Sequence, residues 1–141
     1  LVGYGRVGRR VAEALSARGV PIVVAEQNRE LVEMLRARGT PAVSGDAVEP
    51  AVLIQAHVAR ARLLAIAVPN PFAALRMIEI ARALNPGIEI VAHVHCEDEA
   101  ELLRKQDIGR VFTDEHELAS GMSRHVLDRS ARGAAIRPGD A

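Results

Sequence analysis

The chain has 141 residues, of which 49% are hydrophobic and 26% charged, with 18 basic and 18 acidic side chains. This size and balance predict one folded domain, and a single cysteine excludes a disulfide scaffold. The zero net charge and the scarcity of aromatic residues argue against nucleic-acid binding and against direct lipid contact.

Short β-branched runs alternate with helical patterns along the chain, which is typical of repeated βα units. The predicted strands are residues 1–2, 21–26, 41–44, 62–68, 88–95 and 110–113. The predicted helices are 6–18, 28–39, a short one from 49, 71–84, 97–106 and 115–129. Several strands are continuously apolar, as a parallel sheet covered on both faces requires. We therefore expect an α/β fold, namely a Rossmann-like, doubly wound, parallel six-stranded sheet with helices on both faces.

Periodicity also predicts the packing and the domain limits. In the first helix, Val7, Val11 and Leu15 lie four residues apart and are expected to form a buried stripe. Residues 1–130 form the predicted domain, and residues 131–141 form a linker or disordered tail. Because the chain opens on two apolar residues directly before a glycine turn, we expect a fragment whose first strand is cut short.

A glycine-rich turn follows the first predicted strand, with the spacing G-x-G-x-x-G at Gly3, Gly5 and Gly8. The first glycine permits a tight turn, the second lets the backbone approach a pyrophosphate, and the third lets the helix pack closely on the strand. N–H groups at the helix start then hold the phosphate. The predicted phosphate-binding residues are Gly3, Tyr4, Gly5, Arg6, Val7 and Gly8.

An acidic residue completes this pattern. Glu26 closes the second predicted strand, 23 positions after Gly3, where a carboxylate accepts both hydroxyls of an adenosine ribose, with Gln27 beside it. Since a carboxylate repels a 2′-phosphate, NAD(H) or AMP is favoured over NADP as the cofactor. The alternative interpretation is a turn that serves packing alone and a solvated glutamate at a strand end.

Two further loops are candidates for the same site. Gly45, Asp46 and Ala47 follow the third strand, where an acidic side chain accepts a hydrogen bond from an adenine amino group, or else simply forms a turn. Residues 68–70 (Val68, Pro69 and Asn70) follow the fourth strand, either near the far end of the ligand or as a rigid start to the next helix.

The histidines do not by themselves predict a metal centre. His93 and His95 share one face of their strand, but Cys96 points to the other face and no clustered carboxylate completes a tetrahedral ligand set. No nucleophile with a supporting context is present either. We therefore predict neither a metal site nor catalytic residues.

These segments resemble the TrkA-N, or RCK, nucleotide-binding domain over residues 1–129. The resemblance rests on VGYGRVG at 2–8, Glu26, VSGDA at 43–47, VPN at 68–70 and IEIVAH at 88–93. Within the family, the C-terminal cytosolic domains of Kef-type (YbaL-like) cation/proton antiporters are most similar, through residues 65–70 and 83–92.

The resemblance implies a non-enzymatic regulatory domain that binds NAD(H), AMP or a similar adenine nucleotide and gates a potassium/cation-proton antiporter through a dimer conformational change. It implies that Arg6 contacts phosphate, Glu26 the ribose, and Asp46 with Ala47 the adenine. His93 stands where many relatives carry an arginine. The resemblance also implies a homodimer through residues 110–129. It further implies a membrane antiporter domain in the same polypeptide and a place at the cytoplasmic face of the bacterial inner membrane.

Two enzyme classes share parts of this pattern. The cofactor-binding domain of a small NAD-dependent oxidoreductase uses the same turn, but the predicted strands and helices leave no room for a substrate domain. A class I methyltransferase also carries an acid after its second strand. The third glycine, Gly8, and a last strand followed by only one helix argue against it.

Overall fold

The computed structural model describes residues 1–133. The helices are α1 (Arg6–Ser16), α2 (Arg29–Ala37), α3 (Pro50–Gln55), α4 (Pro71–Leu84), α5 (Glu97–Arg104) and α6 (Asp114–Gly133), with a 3₁₀ turn at Val58–Arg60. The strands are β1 (Val24–Glu26), β2 (Ala42–Ser44), β3 (Leu63–Ile66), β4 (Glu89–Val94) and β5 (Arg110–Thr113). This alternation confirms the predicted α/β, Rossmann-like fold.

All strand pairs are parallel. One ladder joins β1 to β2, and a second has the order β3-β4-β5. Val2 forms isolated parallel bridges to Ala25 and to Ile66, so it lies between the two ladders. Its N–H donates to Ala65 and its carbonyl accepts from Ala67, both at 2.8 Å. The carboxyl ends of all strands therefore meet at one edge.

The strands are shorter than predicted, and residues 1–2 form a bridge rather than a sixth strand. The expected strand 21–26 begins only at Val24, and the expected strand 62–68 ends at Ile66. A ladder needs a paired neighbour. Residues 1–2 supply too little backbone to pair with the whole of either neighbouring segment, although the amino group of Leu1 donates to the Val23 carbonyl at 2.9 Å.

The prediction that Val7, Val11 and Leu15 form the buried stripe of α1 is wrong. Its buried residues are Gly8 and Ala12, whereas Val7 is 39% exposed and Val11 and Leu15 are half-buried. A Cβ at Gly8 would lie 2.0 Å from the carbonyl oxygen of Gly3. Because the helix approaches the turn this closely, only the small residues of α1 fit against the sheet.

Successive residues of β1 enter two separate cores. Val24 packs with Ala12 of α1 and Val32 of α2, on one face of the sheet. Ala25 belongs to a larger cluster on the other face, together with Leu53 of α3 and residues of α4 and α5. This alternation follows from the period of two along a strand, and it accounts for helices on both faces at this end.

The other end of the sheet is less completely covered. Leu63 of β3 is 44% exposed, and Val91 of β4 and Phe112 of β5 are half-buried. The guanidinium of Arg110 lies 5.2 Å from the centre of the Phe112 ring on this surface. Within residues 1–133, the helices thus leave part of one face of β3-β4-β5 accessible.

Helix α6 is longer than predicted. It begins at Asp114, one residue before the predicted start, and continues to Gly133, so residues 131–133 of the predicted tail are helical. Residues 134–141 of that tail lie outside the described residues. In the part of the chain that the structure describes, no helix combines the length and the apolar character needed to cross a bilayer.

The close contact between α1 and the turn gives a stability prediction. Gly8→Ala is expected to lower the free energy of unfolding by about 3 kcal/mol, because the new methyl group would meet the Gly3 backbone, which cannot move aside. Gly87→Ala is the control, since no residue in 1–133 other than its chain neighbours has a heavy atom within 4 Å of the Cβ position. Urea denaturation of both variants measures the difference, and equal stabilities would contradict the packing argument.

Candidate functional site

The residues predicted to form a site lie where strands end. The glycine turn follows Val2, Glu26 is the last residue of β1, Gly45 follows β2, and His93 lies near the end of β4. Since the strands are parallel, these segments share the carboxyl edge of the sheet, where ligands bind in open α/β folds.

The three glycines of the turn differ in the space around them. Gly3 has a φ of +88°, and a Cβ there would lie 2.8 Å from the side chain of Val68. Gly8 leaves no room for a side chain either, because it packs against Gly3. By contrast, apart from Gly5 and its two chain neighbours, no residue in 1–133 has a heavy atom within 4 Å of the Cβ position at Gly5. Gly3 and Gly8 therefore maintain the fold, whereas the space beside Gly5 is open.

Helix α1 begins beside this space with its first turn uncapped. Gly5 is the N-cap residue, and no described side chain accepts a hydrogen bond from the first N–H groups. No acidic residue stands in the first turn. Unpaired N–H groups and the positive end of the helix dipole together favour an anion at this position.

The carboxylate of Glu26 connects the turn to the next loop. Its Oε2 accepts a hydrogen bond from the N–H of Tyr4 at 2.7 Å, and its Oε1 accepts one from the N–H of Asn28 at 2.9 Å. A carboxylate has about four acceptor positions, so each oxygen retains capacity for a ligand hydroxyl. Glu26 thus has a structural role that the sequence did not predict.

The other predicted residues of the turn and of the end of β1 differ in how far their side chains are exposed. The ring of Tyr4 is buried in the core with Ala12 and Val24, so only its backbone faces the edge. The side chains of Arg6, Val7 and Gln27 are exposed. Arg6 and Gln27 are therefore accessible to a molecule bound at the carboxyl edge.

The loop after β2 is a turn built on an aspartate. Asp46 Oδ1 accepts a hydrogen bond from the N–H of Val48 at 3.0 Å, and Ala47 is buried in the core. Gly45 has a φ of +147°, and its N–H donates to the Glu26 carbonyl at 3.0 Å. This second connection to the end of β1 brings the half-buried Asp46 to the same edge.

The loop after β3 packs against the glycine turn. The side chain of Val68 touches the position where Gly3 lacks a Cβ. Asn70 Oδ1 accepts hydrogen bonds from the N–H groups of Phe72 and Ala73, which caps α4. Pro69 is half-buried between these two residues. The predicted helix-start role of this loop is therefore present.

His93 and His95 share a single carboxylate. His93 Nε2 lies 2.7 Å from Asp114 Oδ1, and His95 Nδ1 lies 2.8 Å from Asp114 Oδ2. The hydrogen bond with His95, followed by that with His93, holds the pKa of the Asp114 carboxyl below its usual range. Asp114 was not among the predicted residues. Asp114 reaches the two histidines because β5 pairs with β4 in a register that places Thr113 opposite Val94. The residue that follows β5 therefore lies beside the end of β4.

An apolar cavity lies elsewhere. Its volume is about 740 Å³, and its walls come from the amino-terminal parts of β1 and β3 and from the segments before them, including Pro21, Ile22 and Leu63. The walls are almost entirely apolar, and the cavity contains none of the predicted site residues. The polar groups that could hold a nucleotide converge at the opposite edge of the sheet.

Comparison with known proteins identifies similar domains. The TrkA-N domain model matches residues 1–114. The chain is 40% identical over 122 residues to the putative cation/proton antiporter YbaL of Escherichia coli strain K12, an alignment that covers 86% of this chain and 22% of that protein. The chain thus spans about a fifth of the length of such curated relatives.

Two solved structures are also similar. The TrkA-N domain of the inner membrane protein YbaL from Escherichia coli superposes with a TM-score of 0.83 at 39% identity, covering 87% of this chain and 91% of that one. The Kef C-terminal domain from Shewanella denitrificans, in its AMP-bound form, gives a TM-score of 0.77 at 27% identity, with 90% and 77% covered.

The hydrogen bonds of Glu26 give a second stability prediction. Glu26→Gln replaces one acceptor with a donor, so a backbone N–H of Tyr4 or Asn28 loses its partner. We expect a loss of roughly 1.5 kcal/mol in the free energy of unfolding. Glu33→Gln, an exposed change on α2, should have little effect. If urea denaturation finds both variants as stable as the parent chain, the Glu26 bonds do not support the turn.

Proposed function

Because the chain belongs to the TrkA-N domain family, we propose that it binds an adenine nucleotide and regulates a cation/proton antiporter. The observation that carries this proposal is the combination of an open Gly5, an uncapped helix start and the Glu26 carboxylate at one edge. A Kef domain that is 27% identical to this chain has been solved with AMP, which supports the same ligand class here.

In the proposed complex the nucleotide phosphate lies beside Gly5, where it accepts hydrogen bonds from the first N–H groups of α1. Arg6 contacts the phosphate from its exposed position in the turn. The remaining acceptor positions of Glu26 bind the ribose hydroxyls, with Gln27 alongside. Asp46 and the backbone of Ala47 contact the adenine, while residues 68–70 and His93 lie toward the phosphate end. NAD(H) and AMP both satisfy this arrangement, since they share the adenosine portion.

The regulatory role follows from the relatives. YbaL is named a putative cation/proton antiporter, and another relative, from Alkalimonas amylolytica, a putative K⁺ efflux antiporter. We infer that this chain lies at the cytoplasmic face of the bacterial inner membrane, connected to a membrane antiporter domain of the same polypeptide. Ligand binding changes transport if the two states of the domain differ in nucleotide affinity. The role is non-enzymatic, and hydride transfer from NADH would favour the oxidoreductase alternative instead.

The surface for gating is proposed to be a homodimer interface formed by residues 110–129. Leu118, Met122 and Val126 recur every four residues along α6 and are 67%, 62% and 60% exposed. They form an apolar stripe, and the half-buried Phe112 of β5 belongs to the same segment of the chain. Exposed apolar stripes of this kind are typical of helices that pack on a partner. A second copy would bury the stripe and pass a change at the site to its neighbour.

The complete sheet is proposed to have six strands. The two parallel bridges of Val2 support this, because its backbone already pairs with β1 on one side and β3 on the other. In this arrangement the strand order is β2-β1, then the strand containing Val2, then β3-β4-β5. That is the doubly wound order, with the nucleotide at the point where the order reverses.

The space at Gly5 gives a binding prediction. Gly5→Val should abolish AMP and NADH binding, measured by isothermal titration calorimetry, because an isopropyl group would occupy the path of the phosphate. The fold should remain, since no described atom stands near that Cβ position. Gly87→Val, a change at a similarly open glycine away from the carboxyl edge, is the matched control. Retained binding in a well-folded Gly5→Val variant would contradict the proposed site.

The apolar stripe gives an association prediction. Met122→Glu should convert the dimer to a monomer in light scattering coupled to size exclusion, since a charge would be buried in the interface. Ala131→Glu adds the same charge nine residues further along α6, on the opposite side of the helix, and should leave the dimer intact. A monomeric parent chain, or a dimer in both variants, would show that residues 110–129 do not form the interface.

A further inference from the structure

His93, which is proposed to lie toward the phosphate end of the nucleotide, also forms a cluster with His95 and Asp114, two residues outside the proposed nucleotide contacts. One nitrogen from each ring and one carboxylate oxygen all lie within 4.8 Å of one another. His93 lies in β4, His95 follows the end of that strand, and Asp114 is the first residue of α6. We propose that this cluster, here named the β4–α6 triad, binds a divalent first-row transition metal such as Zn²⁺.

The donor set favours this class of metal. Two imidazole nitrogens and one carboxylate are ligands that Zn²⁺ and its neighbours bind at about 2.0–2.2 Å. Ligand atoms around a tetrahedral Zn²⁺ are then about 3.3 Å apart, so small side-chain rotations bring the triad to that geometry. Mg²⁺ and Ca²⁺ prefer sites made of oxygen atoms, and the triad supplies too few.

The triad is accessible to a metal and has room for a fourth ligand. The side chains of His95 and Asp114 are 57% and 54% exposed, whereas that of His93 is only 13% exposed. The two imidazole rings stand at 80° to each other with centroids 5.8 Å apart, so they do not stack over the site. A water molecule on the solvent side would complete four ligands.

The position of the His93 ring proton limits the expected affinity for the metal. His93 donates from Nε2 to Asp114 in its neutral form, and its Nδ1 is buried with no hydrogen-bond partner among the described residues. When the metal binds Nε2, the ring proton moves to Nδ1, where no acceptor stabilises it. Loss of such a partner typically costs 10–100-fold in metal affinity. We therefore expect micromolar rather than nanomolar binding.

A metal at this position would act on α6. It would join the end of β4 to the first turn of the helix that carries the apolar stripe Leu118, Met122 and Val126. The bonds would replace two hydrogen bonds with stronger links between the same elements. The site would therefore fix the direction in which α6 leaves the sheet, whether or not a nucleotide is bound.

The test is a calorimetric titration. Metals are first removed from the chain with EDTA, and Zn²⁺ is then titrated into the metal-free chain at pH 7.5. One Zn²⁺ per chain is expected, with affinity reduced at least about tenfold in His95→Ala and in Asp114→Asn. His57→Asn is the control, because His57 is exposed, lies outside the triad and has a positive φ that asparagine tolerates. Mg²⁺ should give no comparable heat. No Zn²⁺ binding, or unchanged affinity in both triad variants, would overturn the proposal.

Nitrogen-detected NMR of the imidazole rings separates coordination from a general loss of structure. Zn²⁺ should shift the Nε2 signal of His93 and the Nδ1 signal of His95, while the signals of His57 and His125 stay in place. Shifts at other histidines alone would contradict the assignment. The two sites would share His93, but their tests remain distinguishable, because His95→Ala should retain AMP binding and Gly5→Val should retain Zn²⁺ binding.

Discussion

The structure depends on the close contact between the first turn of α1 and the backbone of Gly3. The third glycine of the turn leaves no space for a side chain, so the start of the helix lies directly over the end of the strand segment at Val2. This contact directs the uncapped N–H groups of α1 toward the carboxyl edge. It also requires small residues, Gly8 and Ala12, on the buried side of the helix. One steric constraint thus accounts for both the packing and the anion-binding character of the turn.

Glu26 couples this turn to the rest of the edge. Its two oxygens accept hydrogen bonds from the backbone on either side of the strand end, and the Glu26 carbonyl accepts another from Gly45. The ends of three neighbouring strand segments are therefore linked through one residue. A ligand that binds the Glu26 carboxylate would therefore act on a residue that is hydrogen-bonded to all three segments.

The sequence predicted the features that depend on local spacing. The glycine turn, Glu26 at the end of β1 and the limits of α4 follow from residues close together in the chain. The stripe at Val7 and Val11 was wrong because hydrophobicity alone does not reveal the close approach that excludes large side chains. Asp114 was missed because its contacts with the two histidines depend on the pairing of β4 with β5, a relation between distant segments.

The central claim is that the carboxyl edge binds an adenine nucleotide, and amide NMR during a titration with AMP tests it most directly. Perturbed amide signals are expected in the turn around Gly5, at Asn28 beside Glu26, and in the loop after β2 around Asp46. The signals of residues lining the apolar cavity at the opposite edge, such as Ile22 and Leu63, should remain unchanged. Perturbations confined to that cavity or to α6, or a spectrum that AMP does not change, would contradict the account.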